Sequence, residues 1–241
     1  DVTSAANTDT TSYASFNQFF TRSLAPGARP IAHQGDAVVC PADGTISQIG
    51  MLSGQVIPQA KGYSFTLSAL LANDLQSYRQ FEGGCFTTVY LSPRDYHRVH
   101  MPITGDLRKM TYVPGRLFSV DRLTTEHVRD LFARNERVIS YFDTALGPIA
   151  LLMVGAIFVG SIETSWHGQV TPDTTRNIQT WRYEKGAYTF QRGSELGRFN
   201  MGSTVILLAR SSSISWLNNL IPGAPVKMGQ MIGRTLSVKQ H

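Results

Sequence analysis

The sequence predicts an α+β fold: strand-rich, with largely antiparallel sheets, a few short helices and a single compact domain. Three observations carry this. Short β-branched and aromatic runs recur along the chain, among them Cys85 to Leu91 and Val205 to Ala209. Helical spacing of apolar residues is confined to three or four short segments. No internal repeat, low-complexity tract or composition break divides the 241 residues.

The first 15 residues are polar and read as a lead, truncated or flexible, to a domain spanning 16–241. Ser12 to Phe20 reads as a helix, with Ser12 as cap and Tyr13, Phe16, Phe19 and Phe20 at helical spacing. Val38 to Cys40 and Thr45 to Ile49 read as strands around a Pro41-Ala42-Asp43-Gly44 turn. Ser64 to Leu75 reads as a helix with Leu67, Leu70 and Leu71 on one face, and Cys85 to Leu91 as a strand. Ser92-Pro93-Arg94-Asp95 has the grammar of one helical turn, which Pro102 and Gly105 stop from growing. Leu107 to Tyr112 follows as a strand and Thr124 to Phe132 as a helix. Arg137 to Asp143 and Pro148 to Val159 form a hairpin turning near Leu146-Gly147. Ser161 to Thr171 and Ile178 to Tyr183 continue the strands. Val205 to Ala209 is a central strand and Ile214 to Leu220 a short helix.

Hydrophobic content of 42% and charged content of 16% belong to an ordered globular protein. The net charge of +5 suits an anionic partner, and it also suits plain solubility. No lysine- or arginine-rich run and no basic helix points to nucleic acid. Two cysteines, Cys40 and Cys85, make no disulfide framework and are expected reduced and packed, as in the cytoplasm. The start carries no secretory signal, and the apolar stretch from Ala150 to Gly160 is too short to span a bilayer. The polar start without a methionine suggests a chain that begins inside a longer natural sequence.

The chemistry concentrates in three segments. In Met201-Gly202-Ser203-Thr204 a hydroxyl stands at the mouth of an apolar run, and Gly202 leaves its own carbonyl open to that hydroxyl. Ser203 is therefore a candidate nucleophile toward the Gly202 carbonyl carbon. The attack turns the amide into an ester. Loss of the Ser203 α-proton then breaks the ester, leaving a Gly202 carboxylate and a dehydroalanine, which hydrolyses to ammonia and a pyruvoyl group. Tyr96-His97-Arg98-Val99-His100-Met101-Pro102 offers imidazoles, and Cys40-Pro41-Ala42-Asp43-Gly44 a carboxylate. His100 is the candidate base and Asp43 the carboxylate that orients it. No paired cysteines and no His-Glu-x-x-His spacing support a metal site.

These segments, with Leu91-Ser92-Pro93-Arg94-Asp95, Ala133-Arg134-Asn135-Glu136-Arg137 and Val159-Gly160-Ser161-Ile162-Glu163-Thr164, resemble the signatures of the phosphatidylserine decarboxylase family, most closely its bacterial type. The resemblance runs from about Phe16 to about Leu236, and departs where the common Leu-Gly-Ser-Thr is Met201-Gly202-Ser203-Thr204. It implies a lyase that converts phosphatidylserine to phosphatidylethanolamine and carbon dioxide. It implies scission between Gly202 and Ser203, giving 1–202 and 203–241, with a pyruvoyl cofactor made from Ser203. It assigns Asp43, His100 and Ser203 to self-processing and gives His97 to decarboxylation. Tyr90, Tyr96, Arg98 and Phe118 are candidates for the substrate-binding set: the first three to shape the pocket, with core packing or phosphate contact as the alternative, and Phe118 to face lipid from its glycine-containing loop, with a plain core role as the alternative. The expected setting is peripheral, on the cytoplasmic face of the bacterial inner membrane, as a homodimer against an anionic lipid surface. A pyruvoyl enzyme for a soluble amino acid would process itself identically. Val226-Lys227-Met228-Gly229-Gln230 also carries a faint likeness to the strands of carrier domains for biotin and lipoate.

Overall fold

The structure is a computed structural model that describes residues 2–157, 161–171, 176–200 and 203–236. Helix α1 (Phe16–Phe20) opens the chain and leads to β1 (Ala37–Val39) and β2 (Gly44–Met51). A hairpin, β3 (Val56–Ala60) and β4 (Tyr63–Thr66), then runs into α2 (Leu67–Leu70) and α3 (Leu75–Phe81). Next come β5 (Cys85–Leu91), β6 (Arg98–His100), β7 (Gly105–Val113), α4 (Arg122–Thr125) and α5 (Leu131–Arg134). Strands β8 (Arg137–Thr144), β9 (Gly147–Val154), β10 (Ile162–Thr164), β11 (Gly168–Gln169), β12 (Gln179–Arg182) and β13 (Thr189–Phe190) follow. The chain closes with β14 (Glu195–Phe199), β15 (Ser203–Ala209), β16 (Ile214–Trp216), β17 (Pro225–Val226) and β18 (Met231–Thr235).

Among the described residues, one nine-stranded sheet runs β12-β7-β8-β9-β15-β5-β2-β17, with β13 also on β7. A four-stranded sheet runs β11-β10-β14-β6, and a three-stranded one β1-β18-β16. The neighbours pair antiparallel, as the sequence predicts. Strand β15 lies between β5 and β9 and is buried along its whole length, which is why it reads as an unbroken apolar run rather than an alternating one. The last segment is woven into the rest: β15 fills the large sheet, β17 pairs with β2, and β18 pairs with β1.

Several elements differ from expectation. The cap of α1 is Ser15, whose Oγ accepts from Gln18 N at 3.1 Å, while Ser12 closes a preceding 3-10 turn. The helix expected over Ser64 to Leu75 begins only at Leu67, because Tyr63–Thr66 is claimed by pairing with β3; Thr66 then caps α2. Its three leucines are buried as expected, but Ala72 and Asn73 take positive φ and end it. The helix expected over Thr124 to Phe132 is broken into α4 and α5 around Asp130 at φ +55°. Ile214 to Leu220 is no helix: Ile214–Trp216 pairs with β18. The hairpin end placed at Val159 lies outside the described residues.

Two signature residues prove to be framework. Arg137 is buried and donates to the carbonyls of Leu70, Ala69, Ala133 and Asn135, each at 2.8 Å. Burial pulls its guanidinium down to about 10. The Asn135 amide accepts from Phe118 N at 3.1 Å and donates to the carbonyls of Phe118 and Gly155, both at 2.9 Å, pinning the long β7–β8 connection.

Candidate active site

Of the passages of the chain between the two larger sheets, β5 to β6 and β14 to β15 run beside each other. Strand β5 ends at Leu91, and Ser92 to His97 carries the chain across to β6. Strand β14 returns beside it and ends at Phe199, and the chain re-enters the large sheet at Ser203, which pairs with Leu91. At the far end of the crossing, Arg198 pairs with Arg98 and Phe199 N donates to His97 O at 3.0 Å. His97 and Ser203 thus stand at the two ends of one short bridge. The sequence signal behind it is the turn at Ser92: Asp95 N donates to Ser92 O, and Ser92 N and Oγ donate to the Asp95 carboxylate at 2.9 and 2.7 Å. The expected single turn running into a strand is therefore present, in non-helical form.

Ser203 is fully buried, and among the described residues its Oγ has no hydrogen-bond partner; Thr204 Oγ1 shares this state. A buried hydroxyl left unpaired is costly, and Thr87, Thr88 and Thr164 carry the same cost in the interior, so it is the place of Ser203 at the head of β15 that sets it apart. Met201 and Gly202, the other half of the expected cleavage site, lie outside the described residues. Just upstream, Asn200 N donates to Ser161 O at 2.9 Å and the Asn200 amide to Ser161 Oγ. Glu163 takes Arg198 in a two-pronged ion pair at 2.8 and 2.9 Å. The signature around Ser161 and Glu163, which has no chemical step to read from its residue types, grips β14 and Asn200, which lead toward Ser203.

His97 is fully buried against Phe20, ring centroids 4.1 Å apart. Its Nδ1 lies 2.8 Å from Asp95 O. A carbonyl only accepts, so Nδ1 carries the proton and Nε2 keeps its lone pair. That Nε2 is unpartnered among the described residues. Burial pulls the ring down to about 4, so it is neutral at pH 7. His100 is also buried, and burial again lowers its pKa. Its Nδ1 donates to Gly193 O at 2.8 Å, and its Nε2 accepts from the Tyr96 hydroxyl at 2.9 Å.

Asp43 is buried one residue before β2, where β2 lies two strands from β15 across β5. At the usual strand spacing that is about 10 Å. Gly44 has no room for a side chain: a Cβ there would meet Tyr90 O at 2.2 Å. The expectation that Asp43 orients the His100 ring by a hydrogen bond is not met. The carboxylate accepts from Arg29 Nε at 3.0 and 3.1 Å, Arg29 Nη2 at 2.5 Å, Lys227 Nζ at 3.3 Å and Met228 N at 2.9 Å. Burial pushes Asp43 up, but Arg29, the Met228 N–H and Lys227 more than offset it and hold the carboxyl below its usual range. A buried anion takes the nearest cations, and the His100 ring is held by a backbone carbonyl instead. The link between the two is the His100 N–H donating to Pro41 O at 2.8 Å, plus the field of Asp43, which raises His100.

The substrate-pocket candidates separate. Tyr90 is half-buried and lines a cavity of about 380 Å³ with Thr45, Val120 and Thr125. Tyr96 is spent on His100. Arg98 is held by Glu195 and Thr21 O, both at 2.9 Å. Phe118 packs against the core under the Arg134 guanidinium, and the exposed apolar residue of that loop is Leu117. Sequence reasoning missed Arg29 and Gly193. The signal for Arg29 was indirect, since a buried Asp43 demands a cation; Gly193 acts through its backbone and leaves no side-chain trace.

Among the described residues, no helix is long and apolar enough to cross a membrane, and Cys40 and Cys85 are buried and free. A family model described as phosphatidylserine decarboxylase matches residues 16–234. Curated relatives named phosphatidylserine decarboxylase proenzyme include that of Methylococcus capsulatus, 55% identical over 222 residues, 92% of this chain and 77% of the relative. That of Delftia acidovorans is 52% identical over 236 residues, 97% of this chain and 82% of its own. That of Shewanella pealeana is 48% identical over 238 residues, with 97% and 83% covered.

Proposed function

Because the chain belongs to the phosphatidylserine decarboxylase family, we infer that it is a self-processing lyase that converts phosphatidylserine to phosphatidylethanolamine and carbon dioxide. The observation that carries the self-processing is Ser203: a buried hydroxyl, without a partner among the described residues, heading a strand locked on both sides. Its attack on the Gly202 carbonyl would divide the 16–241 domain and its 15-residue lead into fragments 1–202 and 203–241. His100 is the base. In the uncut chain the Tyr96 hydroxyl holds its lone pair, which is yielded as the Ser203 proton is taken. Asp43 acts on the imidazolium through its charge rather than by contact.

A pyruvoyl group made from Ser203 fits this position in its chemistry, because Ser203 Oγ and His97 Nε2 are both buried and have no hydrogen-bond partner among the described residues. When formed, it supplies a ketone that takes the substrate amine and draws electrons from the bond to the departing carboxylate. His97 acts at Nε2. Its Nδ1–H is fixed on Asp95 O, and burial keeps the ring neutral at rest, so Nε2 takes up a proton from the bound substrate and returns it to the carbon left by carbon dioxide. Tyr90 shapes the entrance from its cavity. The net charge of +5 supports peripheral docking on the anionic cytoplasmic face of a bacterial inner membrane, and a symmetric homodimer is the assembly we place there.

The test is turnover of phosphatidylserine in detergent against free serine, with Ser203→Ala beside the wild type. The wild type should release carbon dioxide from the lipid only, and Ser203→Ala from neither. Equal turnover of free serine would overturn the substrate reading.

A further inference from the structure

The chain before β1 crosses the site as a strap, and one of its residues has a part that no motif announces. Arg29 puts Nε and Nη2 on Asp43, with its side chain 15% exposed and that of Asp43 only 1% exposed. Two residues on, Ile31 fills the space over two glycines. A Cβ on Gly193 would lie 2.9 Å from the Ile31 side chain, and one on Gly229 would lie 2.8 Å from it. Gly193 presents the carbonyl that holds His100, and Gly229 follows the Met228 N–H that holds Asp43. Ala32 N ties the strap down by donating to Gly229 O at 2.9 Å. One short segment therefore touches the supports of both groups assigned to scission.

We infer that Arg29 is the positioning residue for Asp43 in self-processing. The inference rests on the proposed part of Asp43. Lys227 Nζ is longer, at 3.3 Å, on a side chain 56% exposed, so it cannot replace a two-pronged guanidinium. The groups that face Asp43 are Arg29, Lys227, Cys40, Tyr96 and His100. Of these, Arg29 makes the shortest contacts and comes from the strap. Without it the buried carboxylate keeps one exposed cation and one N–H. It would then drift from the Tyr96–His100 pair and take up a proton more readily, and the imidazolium formed during scission would keep the charge of Glu195 but lose that of Asp43.

The experiment follows scission of freshly translated chains in a cell-free system, by the decay of the uncut band, across pH. Arg29→Gln should cut roughly tenfold more slowly, and Arg29→Lys should recover part of the rate. The acid side of the rate profile should move to higher pH in Arg29→Gln. The double variant with Asp43→Asn should cut no more slowly than Asp43→Asn alone. Melting of each variant in a Ser203→Ala background separates a folding loss from a positioning loss, since Arg29→Lys should melt like its parent yet cut more slowly. Wild-type cutting by Arg29→Gln overturns the inference, as does slowing that adds in full to that of Asp43→Asn. Wild-type cutting by Asp43→Asn itself overturns the reading of Asp43 and shows that any effect of Arg29 has another route.

Discussion

The buried neutral His97 makes the stability of the uncut chain depend on acid in a calculable way. In the unfolded chain the ring titrates near 6.5, and in the fold burial holds it at about 4. Between those values the unfolded state binds the extra proton, so stability is full above pH 6.5 and drains as pH falls toward 4. At 1.36 kcal/mol per pH unit the whole gap is worth about 3 kcal/mol, and about 2.5 kcal/mol of it is lost by pH 4.5. The perturbation is His97→Asn in a Ser203→Ala background, which keeps one chain. An asparagine amide can still donate to Asp95 O but does not titrate. Urea unfolding at pH 7.5 and pH 4.5 gives a loss for each protein. Taking the difference within each protein cancels the packing lost against Phe20. The parent should lose about 2.5 kcal/mol more than the variant. Equal losses would refute the claim that His97 is buried and neutral.

Other consequences are independent of that titration. After scission the two fragments should stay together through gel filtration and separate only in denaturant, because β15, β17 and β18 are each paired with strands of the larger piece. Gly44→Ala should yield insoluble or uncut chain, seen on a gel of soluble and pelleted fractions, since its Cβ would drive β2 away from Tyr90 O. Arg137→Leu should lower stability by about 3 kcal/mol or more in urea unfolding, because it strips the donors from four carbonyls in the interior.

What the sequence made legible follows the physics of each segment. Cys85–Leu91 and Val205–Ala209 are buried almost throughout, so their continuous apolar runs announce them without any help from partners. Tyr63–Thr66 and Ile214–Trp216 are strands only because β3 and β18 offer them edges, and short apolar runs of that kind read equally well as helix. At the site, Ser203, His97 and His100 announce themselves by residue type beside turn and glycine signals. The partner of Asp43 does not, because Arg29 lies 14 positions away in a segment without regular structure, and only the fold brings them together. The carbonyl of Gly193, 93 positions from His100, is further still from anything a motif can carry.

The most direct measurement is the intact mass of the purified protein before and after borohydride reduction. Two chains should be found, dividing between Gly202 and Ser203. The smaller should lack a free amino terminus and gain two hydrogens at its first residue on reduction. A single unbroken chain that still releases carbon dioxide from phosphatidylserine and does not react with borohydride would contradict the account.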